Sequence, residues 1–222
     1  MNLPRLDPDD DGNEHLHALL RRVHPDDVQA FVEKLTNQPI RDRFHTYREL
    51  LIGVHFRDQG FDVRYERRVG HRTPDWCLAD KDNTPVEIVD VLTLHQRYEK
   101  DVEISKAIGT SGLWTGWITV PLDHIYRKLN DKAGQYSKLA NELSMPFVLA
   151  VYGEFIASIA PEEMEHILFV QHGGWFISNA EVSGLIYCRD KNFQFEYTYY
   201  VNPHAAHQSS LLSLQLPANS EA

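Results

Sequence analysis

Hydrophobic residues recur at helical spacing through the first 60 residues of the chain. Residues 14–22 and 25–37 have the pattern of two short helices. Residues 41–59 predict a longer helix that ends at Gly60, since glycine readily adopts the left-handed conformation that closes a helix. Apolar side chains surround most of this third helix, which indicates that it is buried.

The pattern then changes to short apolar runs typical of strands. Alternating residues predict a strand over 61–69, and two further strands cover 74–79 and 85–91, joined by a turn at 81–83. The remaining predicted elements, in chain order, are a polar segment with helical spacing at 96–108, a short strand over 113–120, a helix over 122–144, a buried strand over 147–152, a helix beginning at Pro161, and a hairpin of strands 184–188 and 193–201.

This order of elements predicts an α/β fold. We expect a three-layer sandwich in which a central mixed β-sheet is flanked by helices. The length of 222 residues suits one domain with irregular ends. We divide the chain into an N-terminal acidic segment with short helices (1–40), the α/β domain (41–202) and an irregular tail (203–222).

Composition narrows the environment and the partners. The net charge of −10 argues against non-specific binding of nucleic acid, although residues 57–72 carry five arginines against three acidic residues and predict a locally basic face. No apolar run has membrane-spanning length and no leader is visible, so we expect a cytoplasmic protein without a membrane partner. The cysteines, Cys77 and Cys188, are predicted to be buried free thiols.

Acidic residues near the predicted hairpin suggest a metal site. Asp75 follows Pro74, Glu87 lies on the next strand, and Glu49 lies on the preceding buried helix. If the two strands pair, we expect Asp75 and Glu87 to converge, with Glu49 as a third carboxylate. Carboxylates held together are stabilised by a cation, and ligand sets of oxygen atoms suit Mg²⁺ or Mn²⁺.

The pattern over residues 44–152 resembles the PD-(D/E)XK nuclease superfamily, which has a restriction-endonuclease-like fold. The resemblance rests on Pro74-Asp75, Glu87, Glu49 and the order of the surrounding helices and strands. It implies that Asp75 and Glu87 bind metal, that Glu49 supports them, and that the protein is a metal-dependent phosphodiesterase.

The motif lysine is missing, because Val89 stands two residues after Glu87. We expect that Asp90 cannot substitute at this position, since it faces the opposite side of the strand from Glu87. Some members of the superfamily take the missing group from the following helix, which here offers Lys132 and Lys128.

Two further residues are predicted to support this site. Gln135, with its neighbour Tyr136, resembles the Gln and Tyr often found on that helix of the superfamily. His71 lies just before Asp75 and is a candidate for contacting phosphate.

The sequence leaves two functions open. The first is a nuclease-like phosphodiesterase that uses Mg²⁺ or Mn²⁺ and acts on DNA or RNA. The alternative is an inactive module with the same fold that binds nucleic acid or a protein partner, or that forms a homodimer. The substituted lysine position and the acidic net charge favour the alternative.

Overall fold

The computed structural model describes residues 12–94, 121–153, 159–191 and 194–213. The predicted helical segment at 96–108 and the predicted strand over 113–120 lie outside these ranges. The described α-helices are α1 (Gly12–Leu20), α2 (Val28–Asn37), α3 (Ile40–Asp58), α4 (Leu122–Leu143), α5 (Pro161–Phe169) and α6 (Ser210–Ser213). Short 3₁₀ turns occur at Pro25–Asp27 and Gln171–Gly173.

Within the described residues six strands form one sheet, which is mixed, as the sequence predicted. The strands are β1 (Val63–Tyr65), β2 (Trp76–Ala79), β3 (Pro85–Leu94), β4 (Phe147–Gly153), β5 (Gly184–Lys191) and β6 (Gln194–Val201), and they lie in the sheet in chain order. The pairs β3–β4 and β4–β5 are parallel, and the other three pairs are antiparallel.

Helices cover both faces of the sheet, so the described chain has three layers. On one face the core joins residues of α1, α2, α3 and α6 to alternate residues of the strands. On the other face α4 and α5 pack against the intervening strand residues. The central strand β4 is buried along its whole length, as its continuous apolar run predicted.

Within the described residues the predicted elements are confirmed, except that one strand is shorter than predicted and the tail contains a helix. The strand expected over 61–69 is limited to Val63–Tyr65, because the chain turns at Glu66, which has a positive φ of 45°. The tail contains the short helix α6, which packs in the core through Leu211 and Leu212. Cys77 and Cys188 are buried and free, as expected. None of the described helices is long and apolar enough to cross a membrane.

Candidate metal centre

A gap beside β3 creates the site. Strand β3 pairs with β2 only from Pro85 to Val89, whereas β4 accompanies it from Ile88 to Leu94. Beyond Val89, β3 therefore lacks a β2 neighbour. The carboxylate of Asp75 fills the start of this gap, where its Oδ2 accepts a hydrogen bond of 2.6 Å from the backbone N–H of Val91.

The register of the β2–β3 hairpin places Asp75 beside Asp90. Trp76 pairs with Val89 and Leu78 pairs with Glu87. The backbone N–H of Asp75 donates to Asp90 Oδ1 at 3.3 Å. The expectation that Asp75 and Glu87 converge was therefore wrong. Glu87 lies opposite a position three residues further along β2, which is about 10 Å from Asp75 along the strand.

Glu87 has a different set of partners at the other end of the hairpin. Its carboxylate accepts hydrogen bonds from the Ser209 hydroxyl, from the Ser210 hydroxyl at 2.7 Å and from the Ser210 backbone N–H at 3.0 Å. Burial raises the pKa of Glu87, against the opposing effect of these serine donors. This carboxylate holds the start of α6 on the sheet and does not join Asp75.

Glu49 lies in the middle of α3 and is only 3% exposed. Its backbone carbonyl accepts a hydrogen bond of 2.9 Å from Trp76 Nε1, which ties the helix to the residue after Asp75. The close approach requires Gly53, because a Cβ there would lie 2.0 Å from the Trp76 ring. The buried carboxylate predicted at position 49 is thus held next to the start of β2.

His45 was not predicted from the sequence. It lies one helical turn before Glu49, and its Nε2 is 3.1 Å from Glu49 Oε1. Its Nδ1 is 3.0 Å from the hydroxyl of Thr93 on β3. One ligand atom from each of His45, Glu49 and Asp75 lies within 4.8 Å of the others, so these three residues can share one metal ion.

Lys132 reaches the site from the opposite face of the sheet. Its Nζ lies 2.6 Å from Asp90 Oδ2, and the Asp90 side chain is 1% exposed. One turn later on α4, the Tyr136 hydroxyl donates to the carbonyl of Thr73 at 3.0 Å. A helix lysine is therefore present, and it pairs with Asp90, the residue that the sequence reasoning excluded.

Asp90 faces the opposite side of β3 from Glu87, as expected, but Asp75 lies beside Asp90 and not beside Glu87. The side chains of Glu87 and Val89 point to the α3 side of β3, and Asp90 points toward α4. Asp75 lies at the end of β2, where the gap is open to both sides. It can therefore contact α3 through Glu49 and His45 while it also contacts Asp90.

The two carboxylates nearest the proposed ion differ in protonation behaviour. Burial opposes ionisation of Glu49, but the hydrogen bonds from His45 and Tyr65 outweigh it and hold the pKa of Glu49 below its ordinary value. Burial raises the pKa of Asp75 well above its ordinary value, and the negative charges of Asp90 and Glu49 add to this effect. A cation would relieve the repulsion that Asp75 experiences.

The surroundings of Lys132 favour its charged form, unlike those of Asp75. Burial lowers the pKa of Lys132, but the carboxylates of Asp90 and Asp75 outweigh it, so the net pKa is raised. Lys132 therefore remains an ammonium cation at neutral pH. The site combines three carboxylates, one imidazole and one partly buried cation.

The other predicted supporting residues lie at the margin. Lys128 and Gln135 are exposed on α4, and His71 is exposed in the turn between Val69 and Arg72. None of the three forms a hydrogen bond or ion pair with another residue in the described part of the chain. The structure gives them no contact with the cluster.

The donor set fits a divalent cation. Carboxylate oxygens suit hard divalent ions, and an imidazole nitrogen extends the fit to ions such as Mn²⁺. The Thr93 hydroxyl behind His45 Nδ1 is the kind of partner that orients a ligating histidine. The residues present can therefore hold a metal ion next to a fixed ammonium group.

Comparison of the chain with family models, curated proteins and solved structures found no match in any of the three.

Proposed function

We propose that this chain is a divalent-metal-dependent phosphodiester hydrolase of the PD-(D/E)XK type that acts on nucleic acid. The observation that carries the proposal is the Lys132–Asp90 ion pair of 2.6 Å next to the His45, Glu49 and Asp75 cluster. It supplies both the acidic pair and the lysine that the resemblance requires, with Asp90 replacing Glu87 as the second acid.

The missing motif lysine does not count against activity in this arrangement. Val89 is buried on the α3 side of β3, so a lysine at that position would not face Asp90. Lys132 provides the ammonium group from α4. The substituted lysine position therefore no longer favours an inactive module, and the acidic net charge is the observation that still does.

We propose that His45, Glu49 and Asp75 hold the metal ion and that Asp90 supports it. A divalent cation bound there supplies Lewis acidity and offsets charge on a phosphodiester. The imidazole ligand favours Mn²⁺ over Mg²⁺, because magnesium is bound mainly by oxygen. Of the two ions expected from the sequence, Mg²⁺ and Mn²⁺, we therefore propose Mn²⁺.

Lys132 has the chemistry to act on the substrate directly. Asp90 holds its ammonium group at the gap, where it can donate hydrogen bonds to a phosphate oxygen. Negative charge grows on the phosphoryl oxygens and the leaving group during hydrolysis, and a fixed cation stabilises that charge. Lys132 is therefore the proposed catalytic residue of this chain.

The turn that precedes Asp75 supports a polyanionic substrate. It carries Arg67, Arg68 and Arg72, of which Arg68 and Arg72 are exposed. Neither of these two forms an ion pair with another residue within the described ranges. The hydrogen bond from Tyr136 to Thr73 fixes the end of this turn beside the cluster. Exposed arginines that form no ion pair with a described residue, next to the proposed metal site, are suited to the phosphates that flank a scissile bond.

The first test is calorimetric titration with Mn²⁺ and with Mg²⁺. The parent is expected to bind Mn²⁺ more tightly, and Asp75→Asn is expected to lose binding. Glu87→Gln is the matched control, because it changes a buried carboxylate on the same hairpin and should bind Mn²⁺ like the parent. Thermal unfolding of each variant verifies that it is folded.

The second test measures cleavage of end-labelled DNA and RNA, single- and double-stranded, in Mn²⁺. Lys132→Met should retain Mn²⁺ binding and lose cleavage by about 100-fold or more, the effect of removing one stabilising donor. Absence of Mn²⁺ binding by the parent, even with nucleic acid present, would refute the proposed function. Metal binding without cleavage of any of these substrates would favour the inactive module.

A further inference from the structure

A chain of three polar side chains connects the surface of α2 to the buried Glu49. Lys34 Nζ donates to the Tyr65 hydroxyl oxygen at 2.8 Å. The Tyr65 hydroxyl in turn donates to Glu49 Oε2. Tyr65 is 6% exposed, whereas the Lys34 side chain is 26% exposed. The chain therefore joins helices α2 and α3 through strand β1.

The direction of these hydrogen bonds is fixed by chemistry. An ammonium group has only donors, so the Tyr65 oxygen must accept from Lys34. The single hydroxyl proton of Tyr65 is then directed to Glu49, whose carboxylate can only accept. Tyr65 has no other arrangement that satisfies both neighbours.

This direction determines which oxygen of Glu49 remains for other partners. Oε2 is occupied by Tyr65, and Oε1 is the oxygen that lies 3.1 Å from His45 Nε2. Tyr65 therefore fixes the rotation of the carboxylate so that one oxygen faces the His45 and Asp75 side. Without this bond the carboxylate would be held, among the described residues, by the His45 contact alone, and its terminal torsion would be less restricted.

Packing holds the Tyr65 ring in place. The ring stacks on Phe31 with centroids 4.0 Å apart and lies 5.1 Å from the Trp76 ring. Its backbone N–H donates to Asp27 Oδ2 at 3.1 Å. Lys34 lies over the ring, with Nζ 4.9 Å from the centroid. The hydroxyl position is thus set by the fold and not by the site.

We infer that Tyr65, with Lys34 behind it, is a positioning residue that orients Glu49 for metal binding. The inference rests on the proposed metal-dependent function. Tyr65 does not belong to the metal-ligand cluster, so it acts through Glu49. It also gives α2 a role in the site, although α2 contributes none of the proposed ligands.

The test compares Mn²⁺ affinity by calorimetry in the parent, Tyr65→Phe, Lys34→Met and Lys34→Arg. Partners that orient metal ligands typically contribute about 10- to 100-fold in affinity, and we expect a loss in this range for Tyr65→Phe. Lys34→Met should cause a smaller loss, and Lys34→Arg should restore most of it, because arginine also has only donors.

Two matched variants separate positioning from general stability. Tyr187 is also a buried tyrosine, but its hydroxyl donates to the carbonyl of Ile159 at 2.9 Å. Tyr187→Phe should lower the unfolding temperature without changing Mn²⁺ affinity. Lys138→Met removes an exposed lysine whose ion pair among the described residues is with Glu142, one helical turn away. It should change neither the unfolding temperature nor the Mn²⁺ affinity.

Thermal unfolding in EDTA and in Mn²⁺ gives a second readout. A merely structural role for Tyr65 would lower the unfolding temperature equally in both, whereas the inference requires that the increment due to Mn²⁺ becomes smaller. Parent-like Mn²⁺ affinity in Tyr65→Phe would overturn the inference and leave the proposed function intact.

The remaining outcomes also decide the question. If Tyr65→Phe does not fold, the test rests on Lys34→Met, because Lys34 is partly exposed and its replacement disturbs the fold less. Parent-like Mn²⁺ affinity in Lys34→Met would then overturn the inference. If the parent itself does not bind Mn²⁺, the proposed function fails first and the inference fails with it.

Discussion

Two buried carboxylates three residues apart on β3 have opposite surroundings. In the described part of the chain, the Glu87 carboxylate is held by neutral donors from the segment around the start of α6, among them two serine hydroxyls and the Ser210 backbone N–H. Asp90 faces the ammonium group of Lys132 and the backbone N–H of Asp75, with two further carboxylates nearby.

The difference teaches what burial of an acid means in this fold. A carboxylate that is satisfied by hydroxyls and an amide attaches one segment to another, and nothing further is needed to stabilise it. A carboxylate that shares a gap with other acids and one cation is left with net negative charge, which favours a metal ion. Exposure alone does not separate the two, because both residues are 1% exposed.

The largest expected effect is on cleavage, and it should distinguish the two acids when each is replaced by its amide. Asp90→Asn should reduce cleavage by about 1000-fold, because several kcal/mol of charge stabilisation are lost when the acidic support of the metal and of Lys132 is removed. Glu87→Gln should leave cleavage and Mn²⁺ affinity within about twofold of the parent, as expected for a residue outside the site.

Cleavage rates and calorimetry on the same protein preparations measure this contrast. Breaking the buried Lys132–Asp90 pair also costs about 3–5 kcal/mol of stability, so Asp90→Asn must be assayed well below its unfolding temperature. Equal loss of cleavage in both variants would mean that the hairpin acts as one unit and that the comparison is wrong.

The second prediction tests the packing that supports the Asp90 side. Gly53→Ala should lower the free energy of unfolding by about 3 kcal/mol, because its Cβ would overlap the Trp76 ring that is bonded to Glu49. Gly134→Ala is the control in α4, where a Cβ meets no atom of the described residues within 4 Å, and it should stabilise by up to about 1 kcal/mol.

Urea unfolding measures the stability of both glycine variants. Titration with Mn²⁺ shows whether a loss of stability is accompanied by weaker metal binding. Gly53→Ala should weaken Mn²⁺ binding while Gly134→Ala leaves it unchanged. A Gly53→Ala variant as stable as the parent would show that α3 can move away from Trp76 without cost.

The third prediction tests the Glu87 side. Ser209→Ala removes a donor from a buried carboxylate and should cost about 1–3 kcal/mol of stability. Mn²⁺ affinity should not change, because α6 does not contact the metal cluster. Urea unfolding measures the stability of Ser209→Ala, and calorimetry measures its Mn²⁺ affinity. A loss of Mn²⁺ affinity would show that the surroundings of Glu87 influence those of Asp90.

Most of the fold followed from the sequence, because helix and strand periodicity is strong in this chain. The site was predicted only in part. Glu49 and Asp75 were placed correctly in the cluster, and Lys132 was chosen as the relocated lysine, because each follows from one local pattern: a buried helical acid, a Pro-Asp at a strand start, and a lysine at the edge of an apolar helix face.

The register error was avoidable. The predicted turn over 81–83 is centred on residue 82, and counting outward from it pairs Asp75 with residue 89 and not with residue 87. The register shift between Leu78 and Ala79 adds the one further residue that brings Asp90 beside Asp75. His45 was also within reach, since it lies four residues before a buried glutamate on the same helix. The hairpin arithmetic and the helical spacing were the two signals available.

Other contacts had no local signal. Tyr65 and Glu49 come together only when β1 packs under α3, and Ser209 meets Glu87 across 122 positions of the chain. Long-range pairs of this kind depend on the packed fold. Sequence periodicity identified the elements that carry them but could not identify the partners.

The smallest expected effect is the pH dependence of the Glu87 contact. Burial raises the pKa of Glu87 above its ordinary value of 4.5, so the folded protein takes up this proton more readily than the unfolded chain. Its contribution to stability is therefore complete below pH 4.5 and is lost as the pH rises through the raised pKa. Glu87→Gln cannot titrate, so the variant should gain stability relative to the parent as the pH increases from 4 to 8.

Urea unfolding of both proteins across that range measures the difference, in which contributions from other groups cancel. Lys132 and Asp90 are unchanged in the variant, so the Asp90 side of the comparison stays constant. A difference that is independent of pH would show that the serine donors fully offset the cost of burial. Glu87 would then be a carboxylate as well satisfied as one in water, and the contrast with Asp90 would be sharper still.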